Sequence, residues 1–144
     1  MSEAASAGLQ AALDWFDGLS PQRLDRIADI YALDARFEDP FQQVQGVGAV
    51  RRIFAHMFAQ LDTPRFTVTQ VLAQGPQAFV TWRFEWGWKT RPGTRHALCG
   101  ATQWRFDAHG RIQVHVDYWD ATALYETLPV LGPGLRWLRR RMRA

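Results

Sequence analysis

The chain has 144 residues, 47% of them apolar and 22% charged, which suits one globular domain and excludes wholesale disorder. One cysteine, Cys99, excludes an internal disulfide framework and a cysteine-based zinc site, and no apolar run approaches membrane-spanning length. The net charge of +3 belongs to the C-terminus: Arg136, Arg139, Arg140, Arg141 and Arg143 carry it, while residues 1–135 hold 12 basic and 14 acidic side chains. Scattered basic residues on the body argue against a nucleic-acid surface. The first residues, Met1 to Gly8, lack the basic start and apolar stretch of a signal peptide, so a cytoplasmic protein is expected.

In chain order, Leu9, Ala12, Leu13, Phe16 and Leu19 recur at helical spacing and predict a first helix that stops near Gly18. Ser20 followed by Pro21 reads as a helix start, and Leu24, Ile27, Ala28 and Tyr31 form the stripe of a second helix. Phe37 to Asp39 is a short extended piece, because Pro40 disfavours helix at the residue before it. Gly46 opens a third helix with an apolar face from Val47 to Leu61, ended by Pro64.

The period then changes from 3.6 to 2. Phe66–Gln74 alternates weakly and Ala78–Trp88 strongly, with a turn at Gly75-Pro76. Arg95–Phe106 and Arg111–Asp120 follow, separated from their neighbours by turns at Arg91–Gly93 and Asp107–Gly110. Four strands joined by short turns predict an antiparallel meander, and three helices before it predict an α+β architecture with a curved sheet wrapped over helices. Residues 1–128 read as this domain; residues 129–144 read as a hinge, Pro129 to Gly134, and a short basic helix. The sequence favours a solvated terminal helix, docked through Leu135, Leu138 and Met142, over contact with an anionic membrane surface.

The stretch Tyr31-Ala-Leu-Asp-Ala-Arg-Phe-Glu-Asp-Pro-Phe41, followed by Gly46 and a helix, resembles the nuclear-transport-factor-like superfamily, which includes ketosteroid isomerases, SnoaL-like polyketide cyclases and limonene-epoxide hydrolases. Trp104 to Ile112 and Asp117-Tyr-Trp-Asp120 resemble the later strands of the same superfamily. The resemblance implies a cone, a cystatin-like α+β barrel in which helices close a curved sheet around an apolar pocket, commonly in a homodimer. It places the isomerase general base at Asp39, and the two oxyanion donors at Trp15 and Thr102, neither of which keeps the family's residue type. Arg83 and Arg105 fall on outward strand faces, so the carboxylate–arginine–carboxylate cluster of the epoxide hydrolases is not expected.

Three residues are candidates for chemistry. Asp39 at the rim of an aromatic pocket would be partly desolvated and suited to general-base work, although Asp before Pro also caps turns. His115 and Asp117 share one face of the last strand by the period of 2, the resemblance implies that this is the pocket face, and two titratable groups there imply pairing or acid–base work. No third ligand is spaced to make them a metal site. Trp82, Phe84, Trp86, Trp88 and Trp104 form an aromatic wall that is either packed core or the side of a pocket, joined by Trp15, Thr102 and Trp119. His56 is expected to be exposed and uninvolved, Cys99 to pack in the core, and Tyr118 to point away from Trp119 toward a dimer interface. The function expected is binding of a small, flat, apolar molecule, with no cofactor. It is either a carboxylate-based isomerase or cyclase, or a non-catalytic binding or scaffold protein.

Overall fold

The structure, a computed structural model, describes residues 1–143. Helix α1 (Glu3–Asp17) starts at Ser2, whose hydroxyl accepts the Ala5 N–H at 3.1 Å and satisfies one of the orphan donors of the first turn. Its inner stripe buries Ala5, Gly8, Ala12, Trp15 and Phe16. A Cβ on Gly8 would fall 2.0 Å from the Gly110 carbonyl oxygen, so only glycine lets this helix press against the turn at Gly110.

A 3-10 segment (Pro21–Arg26) and one turn of α2 (Ile27–Ile30) follow. Here the structure departs from expectation. The helical stripe ends at Ile30, and Tyr31 opens strand β1 (Tyr31–Glu38). The register of β1 against its neighbour slips between Tyr31 and Arg36, so its burial follows neither a period of 2 nor one of 3.6. Strand β2 (Gln43–Gln45) pairs back on β1, and α3 (Val47–Gln60) then buries Val50 and Phe54. Pro64 lies not at the helix end but inside β3 (Leu61–Gln74), beside a second register slip at Asp62/Arg65 and a positive φ of 41° at Thr63. β3 is an edge strand, where a missing N–H is tolerated.

The expected meander is present as β3, β4 (Gln77–Trp88), β5 (Arg91–Phe106) and β6 (Ile112–Tyr118). The sheet has six strands in the order β2-β1-β6-β5-β4-β3. β1 lies parallel to β6, so the sheet is mixed rather than wholly antiparallel. This is the α+β fold with a curved, open sheet over N-terminal helices. The apolar core lies between α1, α3 and the concave face, where Phe16 stacks on Trp104 at 5.4 Å and Trp15 meets Phe54 edge-on at 5.5 Å. Cys99 is exposed, on the opposite face of β5 from the buried Leu98 and Thr102. The core role expected for it fails because Cys99 and Arg83 are register partners on the solvent side.

After β6, Asp120 caps α4 (Ala121–Tyr125), accepting the Thr122 N–H at 2.9 Å. Helix α5 (Leu131–Arg141) begins inside the stretch read as a hinge, with Pro133 in its first turn, where no N–H is needed. It does not dock through Leu138 and Met142, which are exposed; it docks through Arg139, on Asp120 and Glu126. No helix among the described residues is long and apolar enough to cross a membrane.

Candidate functional site

Strand register builds the site. The inward faces of β5 and β6 set Trp104 opposite His115 and Thr102 opposite Asp117, and β4 sets Val80 opposite Thr102. Trp82 leans over β5 at Gly100, where an added Cβ would sit 2.4 Å from its ring, so the glycine makes room for the indole. These side chains join in one hydrogen-bonded chain. The Trp82 indole N–H donates to the Thr102 hydroxyl at 2.8 Å, and Thr102 donates to Asp117 Oδ1 at 2.5 Å. His115 Nε2 lies 2.7 Å from the same oxygen.

The other side of the imidazole fixes its tautomer. The Trp104 indole N–H can only donate, and it points at His115 Nδ1 at 3.1 Å. Nδ1 therefore carries no proton, and the Tyr31 hydroxyl, 2.8 Å away, donates to it as well. Nε2 bears the proton and donates to Asp117. Burial raises the Tyr31 pKa well above its ordinary value of 10.0, and the Asp117 charge adds to the effect, so the phenol stays neutral. His115 is 3% exposed and Asp117 18%. Asp117 Oδ1 thus accepts two hydrogen bonds, while Oδ2 accepts none among the described residues.

Two cavities meet at Asp117. The outer one has a volume of about 240 Å³, with Phe37, Phe66, Trp82, Phe84, Trp88, Leu98 and Trp119 as its apolar wall. Its polar groups are Asp117, Asp39, Gln42, His56 and Gln60. The inner one, about 20 Å³, lies against Thr102, Trp104, His115 and Asp117 and is large enough for a single water.

The sequence-derived candidates separate accordingly. Asp39, Asp117, Trp82, Phe84 and Trp119 line the outer cavity; Thr102, Trp104 and His115 line the inner one with Trp82 and Asp117. Trp15 and Trp86 line neither. The Trp15 N–H donates to the Arg23 carbonyl at 3.3 Å and its ring is locked among Phe16, Tyr31 and Phe54, so it has no donor to offer an oxyanion. Trp86 is fully buried behind Phe84, stacked on it at 5.3 Å. Asp39 is occupied. Its Oδ1 accepts the N–H groups of Phe41 (2.8 Å) and Gln42 (3.0 Å), and its Oδ2 accepts Gln42 Nε2 at 3.1 Å. It holds the loop after β1 as an Asx turn.

Sequence reasoning misses Tyr31, which falls on the stripe of the second helix, and gives His56 no part. His56 is exposed yet lines the cavity with Gln60, one helical turn on. Their spacing beside Ile53 and Met57 on α3 is the signal that could have found them. Arg83 pairs with Glu85 at 3.5 Å on the outer face, and no arginine lines either cavity. Among the described residues, no three His, Cys, Asp or Glu side chains come together as metal ligands.

Known structures repeat this architecture. An NTF2-like protein of unknown function from Burkholderia pseudomallei superposes with a TM-score of 0.75 at 17% identity, over 90% of this chain and 99% of that one. TerC, co-crystallised with polyporic acid, gives 0.73 at 17% identity over 86% and 97%. An LEH-like epoxide hydrolase of M. tuberculosis gives 0.68 at 16% identity over 96% of both chains. At such identities the likeness carries the fold alone. No protein of curated function matches the sequence. Residues 12–115 match the SnoaL-like domain, which is most of the chain, and the protein belongs to that family.

Proposed function

We propose that the protein binds a small, flat, mostly apolar molecule in the outer cavity and moves a proton next to its carbonyl group, as an isomerase or cyclase does, with Asp117 as the base. One observation carries this reading. Asp117 is a largely buried carboxylate with one oxygen held by two donors, the other free, and both cavities at its side. An anchored carboxylate in apolar surroundings is positioned rather than solvated, which is what proton abstraction from carbon requires.

In this reaction Asp117 Oδ2 takes the proton from the carbon beside the carbonyl. The C–H electron pair moves into the enolate, and the proton returns from Oδ2 to another carbon. His115 and Thr102 are positioning residues: all their polar hydrogens point at Asp117, so they steer the carboxylate and do not reach the substrate. The enolate oxygen would lie toward the mouth, where the exposed His56 and Gln60 are among the side-chain donors on the wall. One structural neighbour, TerC, was co-crystallised with polyporic acid, which supports a pocket for an organic ligand. A homodimer through the outer sheet face belongs to the same reading, supported by Tyr118, 55% exposed there.

A second reading, a binding protein without catalysis, is favoured by the fate of the two inherited oxyanion positions. The Trp15 N–H and the Thr102 hydroxyl are both already donated within the protein. The test is a tryptophan-fluorescence titration with flat phenols and enones, paired with NMR detection of deuterium uptake by the enones in heavy water. Saturable binding with uptake that vanishes in Asp117→Asn supports the proton-transfer reading. Binding without uptake leaves the second reading, and no binding by any probe overturns both.

A further inference from the structure

Helix α5 is pinned to the domain by two arginines and the buried Gly132, and leaves most of an apolar stripe open, with Leu135 half-buried within it. Arg139 Nε faces Glu126 Oε1 at 2.5 Å, a charge contact, and Arg139 Nη2 reaches Asp120 Oδ2 at 2.8 Å. Arg136 donates to the Glu126 carbonyl at 2.6 Å. Leu131, Leu135, Leu138 and Met142 are spaced as one helical stripe, and Leu131, Leu138 and Met142 are 51%, 50% and 79% exposed. Trp137 stands half exposed on the opposite side of the helix, with the Arg141 guanidinium 5.2 Å from its ring centre. Arg140, Arg141 and Arg143 have no carboxylate within ion-pair distance among the described residues, and the sequence holds no acidic residue after Glu126.

We propose that this helix is a docking surface for an anionic lipid bilayer. An apolar stripe on a helix whose sides and back carry unpaired arginines matches both layers of such a surface: aliphatic side chains enter the acyl boundary while the guanidinium groups stay among the headgroups. A second copy of the chain fits less well. It would cover the stripe but bring two sets of unpaired arginines together with no acid on the helix to answer them. An acidic protein partner would answer the arginines, but the stripe is a straight row of aliphatic side chains ending in a highly exposed methionine, shaped for insertion rather than for a polar surface. The helix is too short to hold its form alone, and the Arg136 and Arg139 contacts keep it folded and presented before it meets the lipid.

The experiment is flotation of the full chain with neutral phosphatidylcholine vesicles and with vesicles holding about a third phosphatidylglycerol. Binding is expected to the anionic vesicles only, and to weaken when salt is raised toward about 1 M, where the screening length is about 3 Å. Arg140→Ala with Arg141→Ala should weaken binding about 30-fold, at about fivefold for each arginine near the surface. Leu138→Asp should abolish it while the melting temperature holds. Equal binding to both vesicles, no binding to either, or anionic binding unchanged by Leu138→Asp would each overturn the proposal. So would sedimentation showing that Leu138→Asp splits a dimer, which assigns the stripe to a second copy.

Discussion

Asp39 and Asp117 line the same cavity from neighbouring strands, and they do different work. Asp39 follows β1 and gives both oxygens to its own loop, to two backbone N–H groups and one side-chain amide. Asp117 on β6 gives one oxygen to His115 and Thr102, which come from the same strand and the next, and keeps the other free. A carboxylate bound locally stabilises a turn. A carboxylate bound by tertiary neighbours is aimed. The difference teaches that facing a cavity does not by itself leave a carboxylate free; its hydrogen-bond partners decide which oxygens stay open.

The largest effect should come from testing that contrast directly. Asp117→Asn keeps an oxygen for the His115 and Thr102 hydrogen bonds and removes the basic one, so proton abstraction should fall by about 10²–10⁴-fold with little change in melting temperature. Asp39→Ala should do the reverse: exchange rates within a fewfold of wild type, and a loss of about 1–2 kcal/mol from the loop. If Asp39→Ala proves the more damaging to exchange, the assignment of roles is inverted.

Next in size is His115→Leu. It strands the Tyr31 hydroxyl and the Trp104 N–H in buried surroundings and removes one of the two donors to Asp117 Oδ1, and should cost about 3–5 kcal/mol in a denaturant melt. Thr102→Val removes a smaller share, leaving the Trp82 N–H unpaired at about 1–3 kcal/mol. A Thr102→Val melt that matches wild type would mean that the hydroxyl does not anchor Asp117.

Tyr31→Phe sharpens the comparison through pH. The Tyr31 pKa is raised in the folded protein, so its contribution is complete below the unfolded value of 10.0 and is lost as pH rises beyond it. Wild type should lose stability above about pH 10 more steeply than Tyr31→Phe, as read from urea midpoints across that range. The smallest effect concerns Asp120, whose pKa is lowered by its Thr122 hydroxyl hydrogen bond above all, with further help from Arg139. Its contribution is complete above the ordinary value of 3.8 and drains only at lower pH; solvent screening at this exposed site keeps it small. Acid titration of α5 amide exchange would detect it.

Much of this is legible in the sequence. The change of period marks the helices and the four-strand meander, the period of 2 places His115 and Asp117 on one face, and the family resemblance turns that face inward. The same pattern does not rank the aromatic wall. Trp82, Phe84, Trp86 and Trp88 share one side of β4, yet Trp86 is sealed behind Phe84 while the other three border open space. Depth within a cone depends on curvature, which periodicity does not encode. β1 is illegible for a different reason: its slipped register hides the alternation, so Tyr31 reads as the end of a helix. The resemblance puts an oxyanion donor at Trp15, but its N–H faces the Arg23 carbonyl in the 3-10 segment after α1.

The sequence by itself determined the two long helices α1 and α3, the four strands of the meander and which of their residues share a face, because these follow from short-range periodicity and local sterics. It also determined that the charge gathers at the C-terminus. Only the tertiary structure decided which inward groups meet, and with which atoms. Tyr31 and His115 are 84 residues apart, and their hydrogen bond exists because β1 runs parallel to β6. The tautomer of His115, the free oxygen of Asp117 and the exposed stripe of α5 all depend on partners in other elements of the fold as well as on near neighbours. Hydrogen bonding and burial are properties of neighbours in space, and the chain's own order does not name them.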